Sequence, residues 1–253
     1  MSAPEVVALA AWCFAVALAG GLVGLVLGNI RLPAVLLVAS SPAAGAGANI
    51  GISGVTALAA SIAHIRAGRI NWRLFAWMAP PSIVGAVAGG YLSGVLPDDA
   101  LLIVIGVTLV YFGVDLLRPG SGDDVARRRE ERGELDVRAA VLTGGVIGLL
   151  GGIVGLILGA LRMPALLKYV GETPARAVGT NVSVGFCVGV AGVIGHTPEG
   201  VDWDLLLVGS AASVPGAVLG SRLTGRLSER QLLRAIGAVL VVAGVATGLQ
   251  AVL

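Results

Sequence analysis

Apolar residues run along this chain in long blocks, and polar residues gather in the short gaps between them. The blocks are Glu5–Leu27, Ala43–Ala63, Trp72–Leu96, Ala100–Leu117, Arg138–Leu158, Ala175–Gly195, Trp203–Leu223 and Leu232–Leu253. Each is close to the ~20 residues that a helix needs to cross a bilayer. The pattern predicts an all-α polytopic membrane protein. The only long polar stretch, Arg118–Val137, reads RPGSGDDVARRREERGELDV. Its mixed charges suit a solvated linker carrying a short surface helix, with Asp124 and Arg128, and Arg127 and Glu131, at i,i+4 spacing.

Composition agrees. The chain has 253 residues, 56% hydrophobic and 13% charged, with a mean hydropathy of +0.93. Soluble domains carry about 25% charged residues, so lipid is the main solvent expected here. The start, MSAPEVV, lacks the basic region of a cleaved signal peptide. A net charge of +2 gives no reason to expect nucleic acid as a partner. Cys13 and Cys187 fall within apolar blocks and read as small packing residues. No His, Cys and carboxylate cluster has metal-ligand spacing, and no phosphate-binding loop is present. The expectation is therefore a protein with no cofactor, neither an enzyme nor an ATP-driven pump.

The chain is internally duplicated. GGLVGLVLGNIRLPAVLL (Gly20–Leu37) aligns with GGIVGLILGALRMPALLK (Gly151–Lys168). Further on, Ser41-Pro42 matches Thr173-Pro174, Gly47-Ala48-Asn49 matches Gly179-Thr180-Asn181, and His64 matches His196. Then Asn71-Trp72 matches Asp202-Trp203, Gly85-Ala86 matches Gly216-Ala217, and Gly106 matches Gly237. Only single-residue gaps are needed. This divides the chain into a first repeat (1–117), a cytoplasmic linker (118–137) and a second repeat (138–253).

Charge then indicates how the halves are arranged. The connector after His64 carries Arg66, Arg69 and Arg73, whereas its counterpart carries Glu199, Asp202 and Asp204. The next connector reverses this, with Asp98 and Asp99 against Arg222, Arg226, Arg230 and Arg234. Basic connectors stay cytoplasmic, so equivalent loops are expected on opposite sides, as in inverted-repeat transporters. Inversion requires an odd number of crossings per half, yet each half shows four blocks. A broken or re-entrant helix is expected at the Gly-rich stretch containing Pro33, and at its partner containing Pro164. The total would then be 8–10 membrane segments.

These breaks are the candidate site. Ser40-Ser41-Pro42 and Glu172-Thr173-Pro174 read as capped, Pro-started helices, whose N-termini favour anions. Asn49 and Asn181 lie two turns beyond each Pro, on the same face. The expected anion-binding set is Asn49, Asn181, Thr180, Gly47, Gly179, Ser41, Pro42, Thr173, Pro174, Arg31, Arg162 and Lys168, with Arg176 adding positive charge nearby. His64, His196 and Glu172 are candidates for ion coupling. Blander roles compete with these. The Asn residues could be interhelical hydrogen bonds, the arginines could snorkel to an interface, and the histidines could cap segments there. Trp72 and Trp203 read as interface anchors.

Taken together, the repeat and its motifs resemble the TauE/SafE family of sulfite and organosulfonate exporters, also called the toluenesulfonate uptake permease family. The carriers are GGIVGLILGALRMPALL, the A-x-G-T-N element at Ala177–Asn181, G-x-D-W at Gly200–Trp203, and G-S-R-L at Gly220–Leu223. The resemblance implies a multi-pass carrier in the cell membrane for small sulfur-containing anions or related carboxylates, with ion coupling. This chain departs from the family's denser G-x-G-G-G cluster, having Gly24-Leu25-Val26-Leu27-Gly28 and Gly155-Leu156-Ile157-Leu158-Gly159 instead. An anion channel on the same scaffold remains an alternative. So does, more remotely, an intramembrane serine protease using Ser53 in Gly51-Ile52-Ser53-Gly54 with His64 or His196 as base. Assembly of several copies is left open.

Overall fold

The computed structural model describes residues 3–92, 98–132, 135–154, 157–196 and 201–251. Each half contributes one set of helices in the same order. The first has α1 (Ala3–Val23), α2 (Gly28–Leu36), α3 (Pro42–Arg66), α4 (Trp72–Tyr91) and α5 (Asp98–Leu117). The linker forms α6 (Ser121–Arg132). The second half has α7 (Val137–Val154), α8 (Gly159–Ala165) continuing as a π turn at Leu166–Val170, α9 (Pro174–His196), α10 (Trp203–Thr224) and α11 (Glu229–Gln250). No strand occurs among the described residues. Six of the described helices are long and apolar enough to cross a membrane.

The first apolar block is thus not a single helix. α1 stops at Val23, where Gly24 takes a φ of +68°, open to glycine but costly for other residues. Residues 25–27 run non-helically before α2 begins. In the second half, α7 ends at Val154 and α8 starts at Gly159. The return to the start of α3 or α9 is then made by a broken segment. It adds a fifth helical segment to each half, at the Gly-rich stretches where a broken helix is expected. The second half needs one more residue than the first between this break and the following Pro. The π turn takes it up, as π-bulges do for single insertions. α3 begins at Pro42 with Ser41 Oγ accepting from Ala44 N–H at 3.2 Å, as the sequence pattern predicts. α6 pairs Arg127 with Glu131 at 3.8 Å. Asp124 pairs with Arg127 rather than Arg128, at 3.1 Å.

α3 and α9 form the centre, and they run antiparallel. Gly189 lies against Gly54, and Gly179 against His64. α5 and α11 are antiparallel as well, with Gly106 against Gly244 and Gly113 against Gly237. The remaining long helices pair across the halves, α1 with α10 and α4 with α7. These pairs are images of one another. A methyl added to Gly152 would lie 2.1 Å from the Ala86 carbonyl oxygen, and one added to its counterpart Gly21 would lie 2.4 Å from the Ala217 carbonyl oxygen. Such backbone-to-backbone contact substitutes for the hydrophobic drive that lipid removes. Exchanging the halves maps these two contacts onto each other, and α3 and α9, like α5 and α11, run in opposite directions. Meanwhile the outer faces are apolar and exposed, as at Leu37 (86%), Val84 (68%) and Val107 (64%).

Hydrogen bonds and ion pairs tie the basic connectors together at one end of the bundle. Arg69 Nη1 donates to Ser221 O at 2.7 Å, Arg230 pairs with Asp123 at 2.8 Å, and Asp136 N–H donates to Val170 O at 3.3 Å. Arg69, Arg118, Arg129, Lys168 and Arg230 make their contacts among these connectors and helix ends. The opposite end joins the starts of α3 and α10, where Asp202 N–H donates to Ala44 O at 3.1 Å, and it carries Asp202 and Asp204. This separation predicts that cysteines at Asp99 and Arg226, equivalent connectors of the two halves, label from opposite sides of a sealed vesicle. Labelling of both from one side would contradict the arrangement.

Candidate functional site

Two arginines lie inside the bundle. Arg31 on α2 is 2% exposed and Arg162 on α8 is 1% exposed, so neither snorkels. Among the described residues, no carboxylate lies within ion-pair distance of either. Each is held by the Asn of its own half. Arg31 Nε donates to Asn49 Oδ1 at 2.9 Å, and its Nη2 donates to Asn49 O at 2.9 Å and to Ser53 Oγ at 2.5 Å. Arg162 Nη1 donates to Asn181 Oδ1 at 3.2 Å. Spacing makes this possible: Ser53 follows Asn49 by one turn of α3, and each arginine sits two residues before the Pro of a short helix.

The amide nitrogens face the breaks. Asn49 Nδ2 donates to Gly28 O at 3.1 Å. Asn181 Nδ2 donates to Gly24 O at 2.8 Å and to Gly159 O at 2.9 Å, touching the broken segment of both halves. A break inside a bilayer leaves carbonyls that water cannot reach; Gly24 O is one, and the Asn181 amide satisfies it, while Gly28 O and Gly159 O, at the first residues of α2 and α8, take the amides as second donors. With Oδ1 on the guanidinium and Nδ2 on carbonyls, only one amide orientation fits. Each Asn thus links a broken segment to a central helix and aims an arginine. The carbonyls of Gly24, Gly28 and Gly159 escape sequence reasoning, since backbone atoms leave no mark in a residue pattern.

With that geometry in view, the relatives are informative. The profile described as "Sulfite exporter TauE/SafE" matches residues 9–247. The chain belongs to the TauE/SafE family. A probable membrane transporter protein of Xylella fastidiosa is 26% identical over 241 residues, covering 88% of this chain and 90% of that protein. The probable membrane transporter protein YjnA of Bacillus subtilis is 25% identical over 244 residues, covering 89% and 94%. No solved structure matches the chain. The protein is a multi-pass membrane transporter of the cell membrane, with the bilayer and a small-molecule substrate as its partners.

Other residues singled out in the sequence lie elsewhere in this TauE/SafE fold. Thr180 is fully buried, but its Oγ1 accepts from Asn71 N–H at 3.0 Å and so faces the start of α4. Gly47 is buried in α3. Gly179 packs so closely that a methyl there would lie 2.2 Å from Arg69 O. The two Pro-started N-termini, at Ser41-Pro42 and Thr173-Pro174, do not meet at the centre. They sit at opposite ends of the antiparallel α3/α9 pair, and protein groups occupy both. Ser41 caps the first. At the second, Glu172 Oε1 accepts from Thr173 N–H at 2.8 Å and from its hydroxyl at 3.3 Å, while Oε2 accepts from Asn71 Nδ2 at 2.5 Å.

Glu172, 4% exposed, therefore fastens the α3–α4 connector to the start of α9. Its repeat counterpart, Ser40, does the same at the other end, donating its N–H to Asp202 Oδ2 at 3.2 Å. Burial would raise the Asp202 carboxyl, but hydrogen bonds from the Leu205 and Ser40 N–H groups outweigh it and hold the pKa below the ordinary value. Lys168 pairs with Asp115 and lies 5.4 Å above the Phe112 ring, away from Arg162. Arg176 is exposed.

His64 is fully buried rather than interfacial. Its Nε2 lies 3.4 Å from Gly21 O, and its Nδ1 lies 3.4 Å from Arg69 Nη1. His196 ends α9, and its side chain lies outside the described residues. Ser53 Oγ donates to Asn49 O at 2.8 Å, and His64 is about three turns further along the same helix, so they form no nucleophile–base pair.

Asn181→Ala removes three hydrogen bonds and strands the buried Gly24 carbonyl. It should lower stability by about 1–3 kcal/mol, measured by thermal unfolding in detergent. An unchanged midpoint would deny the amide its bridging role.

Proposed function

We propose that the protein carries small oxyanions, sulfite or organosulfonates foremost, by ion-coupled alternating access of its two halves. The observation that carries this reading is the pair of buried guanidiniums, neither with a carboxylate partner among the described residues. Burying an unpaired ion costs several kcal/mol even after relaxation. A neutral side chain such as Gln could satisfy the same Asn oxygen without that cost. Keeping the charge has a use when a mobile anion supplies the missing partner. The arginine fork suits an anion with two or more oxygens, since paired N–H groups match paired oxygens.

The basic end of the bundle supports the same reading, because a field of Arg and Lys at a mouth raises the local anion concentration. The likeness to a family described as sulfite exporters favours sulfur oxyanions within that class. In this reading the two halves sit inverted in the membrane. The fastenings at Glu172–Asn71 and Ser40–Asp202, one at each end, are the contacts that would open in turn, with Glu172 as the coupling group.

Sulfite and methanesulfonate uptake into proteoliposomes tests the proposal. Saturable flux is expected, and Arg162→Gln should reduce it at least about tenfold, the scale of one lost charge-assisted hydrogen bond. Undiminished flux in a folded Arg162→Gln protein would refute the proposal. Non-saturating flux at channel rates would assign the scaffold to a channel.

A further inference from the structure

The two arginine stations are built by the same repeat, yet they differ in how fully their donors are used. Arg31 spends Nε and Nη2 on three acceptors, the Asn49 side chain, the Asn49 carbonyl and Ser53 Oγ. Among the described residues, Arg162 makes a single hydrogen bond, through Nη1. Three buried side-chain polar atoms are without a partner among the described residues: Ser61 Oγ, Ser210 Oγ and Arg162 Nε. Only the last belongs to a charged group. A guanidinium has five N–H donors, and one left unpaired out of water costs more than a neutral group would.

One of the two missing acceptors is legible in the repeat. Ser53 aligns with Gly185, so the second half lacks the hydroxyl that accepts from the arginine in the first. Gly185 faces Val26 and Ile157, residues of the two broken segments. The stations also differ in depth. α3 and α9 pair with Gly54 beside Gly189 and His64 beside Gly179. That register sets Asn181 near residue 62 of α3, so the two Asn residues are ~20 Å apart along the helix axes. One anion cannot bridge them. The Arg162 station is the one nearer the basic end, where Arg69 and Glu172 lie.

Resting on the anion-carrier reading, we propose that the two stations are unequal. Arg162 is the direct ligand of the oxyanion, through its Nε–H and the adjacent Nη–H. Arg31 is a positioning residue, its Nε and Nη2 donors already occupied, that contributes charge without touching the anion. The protein then binds one oxyanion per chain at rest, not two. The ligand class is a monoanion or dianion presenting two oxygens to one guanidinium edge, as sulfite, sulfonates and carboxylates do. A spherical halide offers no such pair. Gly185 is the specificity-determining position, because its missing side chain leaves the Arg162 donors free.

Calorimetric titration of the purified chain with sulfite, methanesulfonate and chloride decides this. The expected result is one site per chain for the two oxyanions. Arg162→Gln should weaken binding at least about thirtyfold, and Arg31→Gln only a few-fold. Gly185→Ser, which supplies the acceptor found in the first half, should weaken binding about tenfold while Arg162 stays in place. It gives a second route to the answer should Arg162→Gln fail to fold. Two equal sites, equal losses in the two arginine variants, a larger loss in Arg31→Gln, or an unaffected Gly185→Ser would each overturn the inequality. Oxyanion binding untouched by both arginine variants would instead remove the anion-carrier reading itself.

Discussion

A guanidinium buried in a membrane bundle without a counter-charge is the constraint around which this structure is arranged. It is tolerable only if its donors find acceptors, and those that Arg31 finds are an amide oxygen, a hydroxyl and a backbone carbonyl. Asn49 and Asn181 supply the oxygen. Because each amide has a second end, the same residue can satisfy carbonyls exposed where a helix is interrupted. The break and the charge are therefore solved together. A continuous helix at residues 24–27 would have no free carbonyls for the amide nitrogen, and the short helix carrying the arginine would not be set against α3.

The rest of the fold keeps that centre in place. α1 with α10 and α4 with α7 approach until backbones touch, which glycine alone permits at Gly21, Gly152 and their neighbours. Each of these contacts occurs twice, once per half, because the duplicated sequence repeats its glycines in register. The two halves diverge where a difference is affordable. An extra residue in the second half winds into a π turn rather than shifting α9. Glu172 in one half stands where Ser40 stands in the other, with Asn71 and Asp202 exchanged to match, so each end keeps a hydrogen bond while the carboxylate changes sides.

Much of this was readable from residues alone. The membrane class follows from apolar blocks and sparse charge, and the duplication from aligned Pro, Asn and Trp positions. The break falls in the Gly-rich stretches before Pro33 and Pro164 that the repeat picks out, and recurrence marks Arg31, Asn49, Arg162 and Asn181. Other features could not be read. Pro42 and Pro174 signal helix starts correctly, but a local signal does not say where that start lies in the bundle. The antiparallel α3/α9 pairing carries the two apart. Thr180, adjacent to Asn181 in sequence, points a third of a turn away on the helix and serves a different contact. His64 sits where its place at a segment end suggests an interface, yet Gly21 of α1, Gly179 of α9 and Arg69 cover it. Ser53 resembled a nucleophile by motif, whereas its neighbours make it an acceptor for arginine.

The central claim is that a buried arginine, rather than the basic end or a helix N-terminus, meets the anion. Selenite is the heavy-atom analogue of sulfite, and its position can be read by anomalous scattering from crystals of the protein. The account predicts a peak within hydrogen-bond reach of Arg162 Nε, beside Asn181. A peak confined to Arg118 and Arg230 at the basic end, or at the Pro42 or Pro174 helix starts, would contradict it.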